Sequence, residues 1–225
     1  MEKRKIIFGN YNTAEDGLWT LTGYKFSDPV VITNLVEIPG APAPLDLSTV
    51  LTDGVPTYGP RTLVASFESS EGTYQEREAI ISAMVNRLDG YRMDIVLPDD
   101  EDHYITGRIS VVKDYNNLAH AAVQVTAICD PGRYAKEETE VPVNVAQEAL
   151  VDHRFLLTNN GRFPVAPVIV LEGGTGGDLF AYDGKSWSLQ NGTMQLPGFS
   201  LPPGSYVASY SGSGQITLLY REAVL

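Results

Sequence analysis

Apolar residues recur along this chain mostly at strand-like intervals, and one segment breaks that rule. Over residues 73–88, Ile80, Met84 and Leu88 recur every four residues, with Ile81 and Val85 beside them. That spacing gives a single apolar helical face, opposed by Glu76, Arg77, Glu78, Asn86 and Arg87. Thr73 and Glu76 stand at capping-box spacing, so a hydroxyl and a carboxylate can satisfy the first free N–H groups. Gly90 follows where a helix often needs a left-handed residue. The pattern predicts one helix, over about residues 73–89.

Strand candidates flank it. Residues 5–8, 30–37 and 61–68 precede the helix, and residues 91–97, 104–113 and 119–129 follow it. Ile109, Val111 and Lys113 alternate with Arg108, Ser110 and Val112, and Ala121, Val123, Val125 and Ala127 share one face of the next run. Residues 114–117 read as the hairpin turn between these two strands. Residues 39–53 differ. Pro39, Pro42 and Pro44 cannot pair in a central strand. This stretch reads as an extended arm or loop, and its Leu45, Leu47 and Leu51 need a docking surface.

The pattern changes at residues 130–133, which begin Asp130-Pro131-Gly132. Residues 134–150 are charged and lack a core pattern, as in a linker or a crossing strand. From Phe155 onward there is no helix signal. Apolar runs are split by Asn160-Gly161, Asp183-Gly184, Asn191-Gly192 and Pro203-Gly204. Asn-Gly and Asp-Gly between apolar runs are hairpin signals, and their spacing fits a small antiparallel sandwich. The expected fold class is mainly β. Residues 1–133 form a β-rich domain with one helix, 134–150 a linker, and 151–225 a β-sandwich.

Composition narrows the function. The chain has 225 residues, 43% hydrophobic and 20% charged, which are globular values. No run approaches the ~18–20 apolar residues of a membrane span. Net charge is −12, shared as −8 up to Arg133 and −4 after it. That argues against gripping nucleic acid, which relies on Lys and Arg neutralising phosphates. The lone Cys129 excludes an internal disulfide and any multi-Cys metal site. The apolar part of the amino-terminal segment is too short for a signal peptide, so synthesis in a cytoplasm is expected.

Candidate chemistry is sparse. Asp99, Asp100, Glu101, Asp102 and His103 offer clustered oxygen ligands of the kind Ca²⁺ takes, but without the spaced pattern of a calcium loop. The plainer reading is a solvated turn between two strands. Glycines at 173–177 and the stretch Asp183-Gly184-Lys185-Ser186 lack the spacing and the helix of a phosphate loop. Cys129, ending an alternating strand, reads as a buried apolar residue. Tyr182 and Trp187 flank the Asp183-Gly184 turn and are candidates for stacking on a sugar, against the alternative of cross-strand or core packing. No nucleophile elbow or zinc-protease motif occurs, and no cofactor or metal is expected.

Several stretches in order resemble one family, the distal tail (Dit) proteins of long-tailed, siphovirus-type bacteriophages or prophages. They are Val36-Glu37-Ile38-Pro39-Gly40 with Leu45-Asp46-Leu47, then Tyr58-Gly59-Pro60-Arg61 running into Phe67-Glu68. The helix end Asn86-Arg87-Leu88-Asp89-Gly90, Ile95 to Asp100, Tyr104 to Arg108, and Cys129-Asp130-Pro131 follow. Asn159 to Val165, Leu201 to Gly204 and Gly214 to Arg221 complete the set. The resemblance implies an N-terminal ring-forming domain and a C-terminal galectin-like β-sandwich. It implies a hexamer that joins the tail tube protein to tail-tip or tail-fibre proteins, including tail-associated lysin or receptor-binding proteins. DNA would only pass through the bore, no membrane is involved, and the protein would sit at the virion tail tip with no enzymatic role. The arm then makes sense as a subunit contact through Leu45, Leu47 and Leu51. The alternatives are a carbohydrate-binding accessory module for host cell-wall polysaccharide, or a carboxylate-dependent glycosidase on a β-sandwich.

Overall fold

A computed structural model describes residues 4–16, 19–52, 54–70, 72–113, 120–143 and 153–225. The chain divides into two compact units, Met1–Arg133 and Tyr134–Leu225. Each has its own apolar core. The expected turn at residues 114–117 lies outside the described residues.

The first unit contains β1 (Ile7–Phe8), β2 (Tyr11–Asn12), β3 (Thr20–Phe26), β4 (Leu35–Val36), β5 (Leu45–Asp46) and β6 (Arg61–Ser69). Then come α1 (Tyr74–Leu88), β7 (Arg92–Leu97), β8 (Asp100–Lys113) and β9 (Ala121–Cys129). All these strands except β4 and β5 join one antiparallel sheet, in the order β2-β1-β7-β8-β9-β6-β3. Alternation decides which face is inside: Leu63, Ala65 and Phe67 of β6 are buried, as are Val123, Val125 and Ala127 of β9. Helix α1 lies against β8 and β9. Its Ile81, Met84 and Leu88 enter the core, while Ile80 and Val85 pack partly buried at its edge.

The helix begins as its sequence predicts. The Thr73 backbone N–H donates to Glu76 Oε2 at 2.7 Å, and the Glu76 backbone N–H donates to Thr73 Oγ1 at 3.4 Å. Gly90 takes φ +79° and donates its N–H to Ile109 of β8 at 2.8 Å, so the glycine turns the chain from helix to sheet.

Two expectations change in this unit, and one strand is new. The strand expected over residues 30–37 reduces to β4 and a lone bridge from Val31 to Tyr58, because this segment leaves the sheet and has no core to face. The acidic stretch is not one open turn: Leu97 pairs with Asp100, so only Pro98 and Asp99 turn and β8 starts at Asp100. Strand β3 was not legible. A register shift between Leu21 and Gly23 splits its alternation.

The second unit starts near β10 (Arg133–Ala135) and contains β11 (Thr139–Val143), β12 (His153–Asn159), β13 (Val168–Glu172), β14 (Leu179–Tyr182) and β15 (Lys185–Ser188). It ends with β16 (Gly192–Gln195), β17 (Gly204–Ser211), β18 (Gln215–Tyr220) and β19 (Ala223–Val224). Two four-stranded sheets, β11-β18-β13-β16 and β12-β17-β14-β15, enclose a core that includes Leu157, Ile169, Phe180, Tyr210 and Leu218. The expected sandwich is therefore present. The stretch read as a linker holds β11, which pairs with β18 throughout, so residues 139–143 belong to the sandwich.

Of the four turn signals, Asp183-Gly184 makes a hairpin. Both residues have positive φ, 48° and 71°, as a two-residue type I′ turn requires. Asn191-Gly192 instead marks a crossing between sheets, since β16 pairs with β13 and β15 with β14. The Asn191 side chain closes on Gly174, with both bonds at 2.8 Å.

Candidate functional site

The most distinctive surface feature is the connection from β3 to β6. These strands are antiparallel neighbours, with Phe26 opposite Leu63. A short turn would join them, yet residues 27–60 intervene. Their exit and return are clamped together. Ser27 N–H donates to Thr62 O at 2.9 Å, and Thr62 N–H donates to Ser27 Oγ at 2.8 Å. Arg61 Nε donates to Ser27 O at 2.7 Å, and its guanidinium lies 3.7 Å from the centre of the Phe26 ring. Arg61 is buried, and its Nη1 has no hydrogen-bond partner among the described residues. Burial, then the charge of Arg133, lowers its pKa from the ordinary arginine value.

From this clamp the chain runs outward as a ribbon. Gly59 N–H donates to Val30 O at 2.8 Å and Ile32 N–H to Thr57 O at 2.9 Å. Strands β4 and β5 continue it. At the tip, Ala41 N–H bonds Ile38 O at 3.0 Å across Pro39 and Gly40. Gly40 has φ +85°, which is the residue order of a type II turn. On the return, Asn34 N–H donates to Ser48 Oγ and Leu47 N–H to Asn34 O, both at 2.8 Å.

This ribbon does not bury its apolar side chains. Among the described residues, more than half of the exposed large apolar side chains belong to it, including Val30, Ile32, Leu35 and Val50. Leu45 is 48% exposed and Leu51 97%, whereas Leu47 is half-buried. A lone two-stranded ribbon is marginal in water. A contiguous apolar surface of this kind marks an interaction site.

The other sequence candidates are placed differently. Tyr182 is buried, with ring centres 5.3 Å from Phe199 and 6.0 Å from Tyr206. Trp187 is half-buried, 6.0 Å from Phe180 and 5.7 Å from Phe199, and its indole N–H donates to Pro197 O at 3.1 Å. The two rings thus occupy one aromatic cluster and pack mainly on each other's neighbours. The acidic stretch also divides. Asp99 accepts from Arg4 at 2.5 Å and from the Tyr24 hydroxyl. Those bonds hold Asp99 below the usual carboxylate range, and burial with the same bond pushes Tyr24 up to about 12. Asp100 bridges His103 and Arg133, both at 2.7 Å. Among the described residues, no group of three or more His, Cys, Asp or Glu is placed to hold a metal ion.

One buried carboxylate was not singled out by sequence reasoning. Asp178 is 1% exposed. Its Oδ1 accepts from Tyr210 Oη at 2.5 Å, Ser213 N–H at 3.0 Å and Gly214 N–H at 3.3 Å, and its Oδ2 from Gly176 N–H at 3.3 Å. It ties the two glycine-rich turns together. A Cβ on Gly212 would lie 2.1 Å from Asp178 Oδ1, so that turn must stay bare.

The class defined by these features is a two-unit β protein: a sheet with one helix and a projecting apolar arm, joined in sequence to a β-sandwich. No protein-family model matches the chain, and no curated protein matches it in sequence. Among solved structures it is similar to the crystal structure of the Dit protein of phage SPP1, with a TM-score of 0.70. That match covers 100% of both chains at 13% identity. The SPP1 protein is described as a paradigm of the hub adsorption apparatus in phages infecting Gram-positive bacteria. The chain therefore has the Dit fold over its whole length.

Proposed function

We propose that this chain is a structural hub of a phage tail tip. Six copies form a ring that joins the tail tube to the host-adsorption proteins and lets DNA pass. The observation that carries this reading is the arm: an ordered, clamped ribbon with its apolar side chains exposed, on a chain whose whole length shares the Dit fold. Closed rings need two different complementary surfaces on each subunit, and an arm that reaches outward is one of them. Leu51, Val30 and Val50 are the most exposed of its apolar side chains and gain most from being covered, at about 1.5–3 kcal/mol per fully buried side chain. Six copies at −12 each carry −72. An excess of carboxylates around the bore would repel phosphates and let DNA slide.

The test is solution mass by light scattering after gel filtration, with negative-stain images of the same peak. A mass near six subunits and rings with an open centre are expected. A single-subunit mass at every concentration, with or without a co-expressed tail tube protein, overturns the reading.

A further inference from the structure

One outward face of the second unit is almost without charge. Along β12, β17, β14 and β15, inward residues such as Leu157, Ala208 and Phe180 alternate with outward ones. One outward row runs Arg154, Ser209, Ala181 and Ser186. In the next row Leu156 stands beside Val207, and Asp183, one residue past the last pair of β14 with β17, reaches the level of Val207. Leu156 is 58% exposed, Val207 61% and Leu179, on the same face, 45%. Among the described residues, Arg154 and Asp183 are the only charges at these outward positions. Both line one groove of about 220 Å³, with Val207, Ala181 and Ser209 between them.

The placement of those two charges is self-complementary. Strands β12 and β14 lie on opposite sides of β17. Arg154 and Asp183 therefore stand on opposite sides of a point midway between Val207 and Ser209. A two-fold axis lying in the face through that point exchanges them. Each Arg154 then meets the Asp183 of the other copy, and the Leu156–Val207 pair of one copy lands on that of the other. Two chains at −12 each repel as wholes, yet this face brings no like charges together. Four strands at ~4.8 Å spacing offer about 400 Å² per copy, half of the ~800 Å² of a standard interface, so the pairing is weak and reversible.

We propose that this face pairs with the same face of a second copy of the chain about a two-fold axis. Leu156 and Val207 make its apolar centre, and two Arg154–Asp183 pairs at the rim set the register. The inference goes beyond the ring reading. In a two-fold contact one patch serves both partners, so it does not repeat around a ring of equivalent copies and pairs chains that do not share one.

Cross-linking of the full-length chain tests it. Ser209→Cys places a thiol beside the axis, where a short bismaleimide joins it to its own counterpart, and the buried Cys129 does not compete. Thr193→Cys, on β16 of the other sheet, is the control. Denaturing gels read the two-chain product against protein concentration, and circular dichroism checks that each variant is folded. Ser209→Cys should give the product and Thr193→Cys should not. Added to Ser209→Cys, either Arg154→Glu or Asp183→Lys sets two like-charged pairs across the axis and should cut the product about tenfold. An equimolar mixture of those two variants sets two opposite-charge pairs across the axis, so the product should return. No product from Ser209→Cys at high concentration overturns the proposal, as does equal product from Thr193→Cys. A product that the charge changes leave untouched, or that they remove without return in the mixture, also overturns it. None of these outcomes bears on the ring reading, which solution mass decides.

Discussion

Asp178 combines burial with charge. Burial alone raises a carboxyl pKa, but here the bonds from Tyr210, Gly214, Ser213 and Gly176 outweigh it and hold the group below its ordinary value. The same contact, after burial itself, pushes the Tyr210 hydroxyl well above the usual phenol range. A lowered folded-state pKa stabilises the fold above the ordinary carboxylate range. That contribution is lost as pH falls from about 4 through the lowered value. Urea midpoints of the wild type should therefore drop below about pH 4, and Asp178→Asn should flatten that drop. At pH 7 the same substitution should cost about 2–3 kcal/mol, since it replaces a charged acceptor of several bonds. An unchanged acid profile in Asp178→Asn would assign the acid sensitivity to other carboxylates. Cys129 makes the opposite case. Burial pushes its thiol up to about 11, and Gly107 packs so close that a Cβ there would lie 2.7 Å from the sulfur. It should resist alkylation at pH 8 in the folded chain and react on unfolding, as a thiol-reagent time course would show.

At the scale of elements, legibility followed locality. Helix α1 was readable because Thr73, Glu76 and the four-residue apolar spacing lie within one short window. The arm was readable as a departure from the sheet because its prolines forbid central pairing. Its ribbon was not, since the pairing of β4 with β5 depends on a turn at Pro39-Gly40 inside what reads as irregular chain. Strand β3 was hidden by its bulge, and with it Trp19, which is fully buried and donates from Nε1 to Tyr11 Oη at 3.1 Å. Turn signals in the second half marked where strands begin but not which sheet they join, because partner choice is a long-range matter. Leu51 could be recognised as needing cover, but the buried knot at Asp178 could not. Three of its four donors, Tyr210, Ser213 and Gly214, lie more than thirty residues away in sequence. The arm's direction should depend on Arg61. Arg61→Ala removes the bond to Ser27 O and the guanidinium over Phe26, at about 1–2 kcal/mol. Amides of Val31 and Ile32 should then exchange about tenfold faster, while those of β9 keep their protection. Equal exchange in both proteins would place the arm's anchor elsewhere.

The whole molecule carries two cores with no buried residue in common. Calorimetry should resolve two unfolding events rather than one, and Asp178→Asn should lower only the one belonging to the sandwich. A single cooperative transition shifted as a whole would show instead that the units unfold together. The clamp at Ser27, Arg61 and Thr62 has a different consequence. It fastens both ends of the arm to neighbouring rungs of one hydrogen-bonded ladder. Residues can therefore be added to or removed from the ribbon without shifting the register of β3 against β6 or disturbing any core side chain. Lengthening a loop whose ends are already held together costs little. The reach of the ribbon can then drift over evolutionary time while the unit's own fold stays constant. In the proposed ring, the same subunit plan would fit assemblies of differing girth.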